Sequence, residues 1–142
     1  MPELVRMCNK ALGPMWDVMS DVVRWPDILP TVSAVRPLGQ SRTLAVGARF
    51  AVRQPRLGPA TYVVTELEPG RSFTWASTMP LLTTMARHRL TPRGDMTVLE
   101  LEVEWSGALA PFVRRIYRRL TERYLCAEAE AFERLAQPVS AT

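Results

Sequence analysis

Hydrophobic and polar positions change their period twice along this chain. Over residues 31–106 they alternate with period two, the pattern of half-buried strands. Phe50 and Val52 oppose Arg49 and Arg53; Phe73, Trp75 and Ser77 oppose Thr74, Ala76 and Thr78; Leu99, Leu101, Val103 and Trp105 oppose Glu100, Glu102 and Glu104. Six strands are predicted here: Thr31–Leu38, Ala48–Gln54, Ala60–Glu68, Ser72–Thr78, Leu81–Leu90 and Met96–Ser106. Breaks at Gly39-Gln40-Ser41, Gln54–Pro59, Pro69-Gly70 and Thr91–Asp95 separate them. Upstream, Glu3–Lys10 reads as a first strand. Trp16, Met19, Val22 and Val23 then recur at helical spacing, with Pro14 as an opener and Ser20-Asp21 as a break between two short helices.

From Pro111 to Gln137 the period becomes 3.6, with no internal Gly or Pro. Val113, Ile116, Tyr117, Leu120, Tyr124, Ala127, Ala131 and Leu135 fall on one stripe, and Arg114, Arg115, Arg118, Arg119, Glu122, Glu130 and Glu133 largely on the other. This predicts an amphipathic helix at about residues 110–137, roughly 40 Å long, opened by Pro111 and stopped by Pro138. Strands joined by short turns form an antiparallel sheet with one face needing cover, and the helix stripe supplies it. The expected fold is α+β: a curved seven-stranded antiparallel sheet wrapped around a long C-terminal helix, with two short helices after the first strand. A single domain over residues 1–142 is expected from the length.

The segments Trp16–Val22, Arg24–Pro30, Val46–Phe50, Glu68–Trp75 and Ala86–Leu90 resemble the START and polyketide-cyclase superfamily (SRPBCC), the helix-grip fold of birch-pollen-allergen-like proteins. The resemblance runs from about Leu4 to Leu135. It implies an elongated, mostly apolar cavity between sheet and helix, gated by loops and the small helices. That superfamily holds aromatic polyketide cyclases and dehydratases, lipid carriers, coenzyme Q-binding proteins and hormone receptors, and shares no universal catalytic motif, so fold does not give function.

Within such a cavity, acid/base chemistry needs an ionisable group among apolar walls. His88, the only histidine, shares strand parity with Thr84, Ala86 and Leu90, while Arg87 and Arg89 take the opposite face. It is the expected acid/base, or else a core histidine with a satisfied ring. Tyr62 and Tyr117 are the hydroxyls expected to polarise a substrate carbonyl. The expected wall is Trp25 at the mouth, Phe50, Phe73, Trp75, Ser77, Leu101, Val103 and Trp105 on the sheet, and Leu120 and Tyr124 on the helix. The two function classes are a cofactor-free cyclase or dehydratase acting on a polyketide-like molecule, and a non-catalytic carrier of a lipid, quinone or secondary metabolite.

Composition adds exclusions. Hydrophobic content of 47% and charged content of 23% are those of a soluble globular protein. No apolar run reaches membrane-spanning length, and the N-terminus lacks a signal-peptide core, so a cytoplasmic location is expected. Cys8 and Cys126 have no metal-ligand spacing and read as free, buried or half-buried thiols. No Gly-rich phosphate loop, nucleophile elbow or His/Cys/Asp cluster is present, so neither cofactor nor metal is expected. The net charge of +4 is not arranged as a nucleic-acid reading face. Arg114, Arg115, Arg118 and Arg119 form either a solvated helix face, with Glu122 pairing Arg118 or Arg119, or a dock for an acidic carrier protein or membrane surface. A monomer or homodimer is expected.

Overall fold

Alternation becomes architecture as one antiparallel sheet of seven strands, seen in a computed structural model that describes residues 3–8, 12–39, 42–94 and 96–135. In chain order the elements are β1 (Glu3–Cys8), α1 (Leu12–Ser20), a 3-10 turn (Val22–Arg24), α2 (Trp25–Ile28), β2 (Ala34–Leu38), β3 (Arg49–Arg53), β4 (Ala60–Glu68), β5 (Ser72–Met79), β6 (Leu82–Arg93), β7 (Met96–Ser106) and α3 (Ala110–Leu135). The sheet order is β1-β7-β6-β5-β4-β3-β2. β2 to β7 form a meander, and β1 closes the far edge by pairing antiparallel with β7, Leu4 opposite Leu101. Because β1 and β2 lie at opposite edges, the chain between them must cross the sheet. α1, the 3-10 turn and α2 make that crossing.

Several bounds differ from the sequence expectation. β2 starts three residues later than expected, at Ala34, and β6 runs on through Pro92 to Arg93, paired with Thr97 and Met96. The expected five-residue turn shrinks because Gly94, at φ 59°, supplies a left-handed position within a tight hairpin. α1 starts two residues before Pro14, which still sits in the first turn. The expected ends of the first strand at Lys10 and of the long helix at Gln137, and the turn residues Gln40, Ser41 and Asp95, lie outside the described residues.

The charged face of the sheet carries a cross-strand ladder. Arg87, directly opposite Glu102, pairs with it and with Glu104 at 3.2 Å, and Arg89 approaches its register partner Glu100 at 3.8 Å. Such pairs add little stability but penalise a slipped register. The opposite face is the core. Phe50, Phe73, Leu90, Leu99 and Leu101 are buried there beneath Met15, Met19 and Val22 from the crossing segment and Leu125, Ala129 and Phe132 from α3. Fully burying each of the larger of these side chains contributes roughly 1.5–3 kcal/mol. A register shift between Val64 and Glu66 puts Thr65 in a bulge, so Leu67 returns to the inner face opposite Phe73.

The helix is rotated relative to the expected stripe. Ile116 is 54% exposed and Leu120 is only half-buried, whereas Thr121, Leu125, Glu128, Ala129 and Phe132 are buried. α3 packs against β7, β1 and α1, and that packing sets its rotation. Two other expectations change. Cys126 is exposed, not buried, and Arg114 leaves the solvated face: it is half-buried, with Nη2 donating to the Trp105 carbonyl at 3.4 Å. Among the described residues no helix is long and apolar enough to cross a membrane.

Candidate functional site

Between α3 and the inner face of the sheet lies a cavity of about 350 Å³. Strand parity positions one wall. Tyr62 comes from β4, Trp75 and Ser77 from β5, Thr84, Ala86 and His88 from β6, and Leu101, Val103 and Trp105 from β7. The helix supplies the facing wall at positions spaced three and four apart: Val113, Tyr117, Thr121, Tyr124 and Glu128. The β3–β4 loop covers one end with Leu57 and Pro59, and the Tyr124 hydroxyl donates to the Pro55 carbonyl, tying loop to helix.

Ten of the residues expected at the site line this cavity: His88, Tyr62, Tyr117, Trp25, Trp75, Ser77, Trp105, Leu101, Val103 and Tyr124. Three do not. Phe50 and Phe73 are completely buried behind the wall, supporting Trp75 with ring centroids 6.0 and 5.4 Å away, and Leu120 lies off the cavity on the rotated helix. Trp25 is not at the mouth. It is 2% exposed, its indole N–H donates to the Met19 carbonyl at 3.2 Å, and its ring meets Phe73, Trp75, His88 and Phe132 within 5.3–6.1 Å. Buried aromatic contacts of this kind hold the crossing segment onto the sheet.

His88 is built into that aromatic cluster. It is 5% exposed, and Nδ1 lies 3.4 Å from the Phe73 carbonyl, which as an acceptor calls for the Nδ1–H tautomer and leaves only Nε2 open. Burial among aromatic rings lowers its pKa to about 4, against a weak opposing effect of that carbonyl. The ring is therefore neutral near pH 7 and a weak base.

The sequence reading missed Glu128. This residue is 9% exposed, lines the cavity, and among the described residues forms no ion pair. Burial raises its pKa to about 7. Thr31, whose buried hydroxyl lies near enough to lower that value slightly, makes no hydrogen bond of ordinary geometry. Tyr62 feels the same environment: burial first, then the nearby Glu128 charge, push its pKa up to about 12. The signal for Glu128 was its spacing, four residues beyond Tyr124 and eleven beyond Tyr117 on one helical face.

A sheet gripping a helix around an aromatic-walled cavity defines a helix-grip protein. The family profile described as polyketide cyclase/dehydrase and lipid transport matches residues 14–137, and the chain belongs to that family. Solved structures share the fold at low identity. A hypothetical protein of Helicobacter pylori superposes with a TM-score of 0.82 at 11% identity, covering 95% of this chain and 86% of its own. Norcoclaurine synthase of Thalictrum flavum gives 0.72 at 17% identity over 94% and 83%. An aromatase/cyclase from a Streptomyces species gives 0.66 at 19% over 94% and 91%. No curated protein matches the sequence.

Proposed function

We propose that this protein encloses a compact aromatic, polyketide-like molecule and catalyses its cyclisation or dehydration without a cofactor. The carrying observation is the cavity itself, about 350 Å³ bounded by the rings of Trp25, Trp75, Trp105, Tyr62 and Tyr117. This volume is at the small end for ligand pockets and suits fused rings better than a long lipid chain. Ring closure by aldol addition followed by loss of water is redox-neutral: only protons and water move. A wall that holds a flexible chain folded for attack lowers the barrier through orientation. Titration of tryptophan fluorescence with 1,8-dihydroxyanthraquinone tests the cavity. Saturable quenching is expected, abolished in Val103→Trp, which fills the space. Quenching that is linear in the wild type, or unchanged in the filled variant, would refute enclosure.

A carrier without turnover is the second reading, favoured by one surface. On the first turns of α3, Phe112 and Ile116 are 63% and 54% exposed beside exposed Arg115 and Arg119, and the backbone N–H of Leu109 joins this end to Leu81, itself 63% exposed. Apolar side chains among cations suit an acidic carrier protein or an anionic membrane surface, where a ligand would be exchanged. Arg118 contributes less, being engaged with Glu122 at 3.4 Å.

A further inference from the structure

We propose that Glu128 and Tyr62 are the proton-transfer pair of the cavity: the Glu128 carboxyl takes and returns the proton, and the Tyr62 hydroxyl holds the oxygen on which negative charge develops. This pairing rests on the cavity being the ligand site. One group stands on the helix and the other on the sheet, both line the same space, and Tyr62 lies close enough to feel the Glu128 charge, so one enclosed molecule can meet both.

Other groups facing this space do not compete. His88 on β6, its pKa lowered to about 4 by burial, is a much weaker base than Glu128 and spends Nδ1 on the Phe73 carbonyl. Arg87 and Glu102 border the cavity but pair with each other on the charged face of the sheet. Tyr124 gives its hydroxyl proton to the Pro55 carbonyl. Tyr117, Ser77, Thr84 and Thr121 bring hydroxyls to the wall but no carboxyl, and Thr31, outside the lining, stands beside Glu128 with a hydroxyl only. Among the described residues Glu128 is thus a carboxyl without a cationic partner, a costly arrangement inside a fold. Near pH 7 it populates both protonation states, as a group that must give and take a proton requires.

The substrate class is a ketone carrying an acidic C–H beside the carbonyl and a hydroxyl one carbon further on. The carboxylate removes that proton; the C–H pair forms the enolate C=C, and the carbonyl π pair moves to oxygen, held by the Tyr62 hydroxyl. The enolate then collapses to the conjugated ketone while the β-C–O bond breaks, and the hydroxyl leaves as water with the proton from Glu128.

The test uses 5-nitrobenzisoxazole as probe. Removing the C3–H proton of its isoxazole ring forms a nitrile as the N–O bond breaks, giving coloured 2-cyano-4-nitrophenolate with no other reactant. The wild type is expected to open the ring with a rate rising through about pH 7, and Glu128→Gln to lose roughly 100-fold or more. Glu128→Ala should regain rate with added acetate, a response that a purely structural role would not give. Tyr62→Phe should lose about tenfold with its pH profile intact, and His88→Gln should keep the profile. Binding of the unreactive isostere 5-nitroindazole is measured in parallel. An isostere that binds without any Glu128-dependent rate overturns the pair and leaves the cavity reading standing. A rate lost in His88→Gln but kept in Glu128→Gln returns the role to the imidazole and also overturns it. An isostere that does not bind removes the cavity reading, and the pair with it.

Discussion

The imidazole of His88 lies flat on the ring of Phe73, with centroids 4.1 Å apart and planes 9° from parallel. Trp75 meets the same imidazole edge-on at 6.0 Å, and Trp25 lies tilted against it at 5.6 Å. A histidine so enclosed is a wall that loses more by charging than it gains. His88→Gln is expected to lower stability by about 1–3 kcal/mol through the lost stacking and carbonyl contact. Probe turnover per folded molecule should stay within a few-fold. Thermal melts and rates on the same sample check both.

His88 and Glu128 load stability with opposite signs. The folded-state pKa of His88, about 4, lies below its ordinary 6.5, so its contribution is complete above pH 6.5 and is lost as pH falls towards 4. The folded-state pKa of Glu128, about 7, lies above its ordinary 4.5, so its contribution is complete below pH 4.5 and is lost as pH rises through 7. Each shift corresponds to roughly 3 kcal/mol, and between pH 4.5 and 6.5 the two nearly cancel. Denaturant melts should therefore show a flat wild type in that window. Glu128→Gln should gain stability with rising pH, and His88→Gln should lose it. Matching slopes in both variants would contradict this assignment.

Tyr124 is expected to act as a latch, since its hydroxyl reaches the Pro55 carbonyl in the loop that covers one end of the cavity. Tyr124→Phe should cost about 1 kcal/mol. It should also speed dissociation of 1,8-dihydroxyanthraquinone several-fold by stopped-flow fluorescence, with hydrogen exchange rising at Leu57. Unchanged exchange there would show that the loop is held by other contacts.

At the same edge of the sheet, Gly107 takes φ 102°, and a methyl placed on it would stand 2.6 Å from the Leu81 carbonyl oxygen. Gly107→Ala must therefore displace the β5–β6 hairpin from the turn that launches α3. A loss of roughly 1–3 kcal/mol is expected from the backbone strain alone, read as a lower Tm.

Charge reversal at Arg115 and Arg119 separates a docking face from a solvated one. Both side chains are exposed, so Arg115→Glu with Arg119→Glu should change stability by no more than about 0.5 kcal/mol each. If the surface docks, binding to vesicles containing phosphatidylserine, or to an acidic carrier protein, should disappear at low salt. Binding equal to that of the wild type would assign the pair to solvent.

What the chain determined by itself is whatever depends on neighbours two to four residues away. A strand residue shows its face through the residues beside it, so the parity of Trp75, His88 and Leu101 was legible, as were the outward Arg87 and Arg89. The two short helices and the long one were legible for the same reason, and the likeness of several segments to a known superfamily named the architecture. Only the tertiary structure decided how α3 is rotated about its own axis. That angle follows from how Leu125, Ala129 and Phe132 fit between the crossing segment and the sheet, partners far away in sequence. A hydrophobic stripe places polar residues outside by default, so it could not bring Thr121 and Glu128 inward or turn Ile116 to solvent. The acidity of these groups is more remote still. A pKa records the water removed by every surrounding chain segment, and for His88 and Glu128 those segments meet only when the sheet closes on the helix.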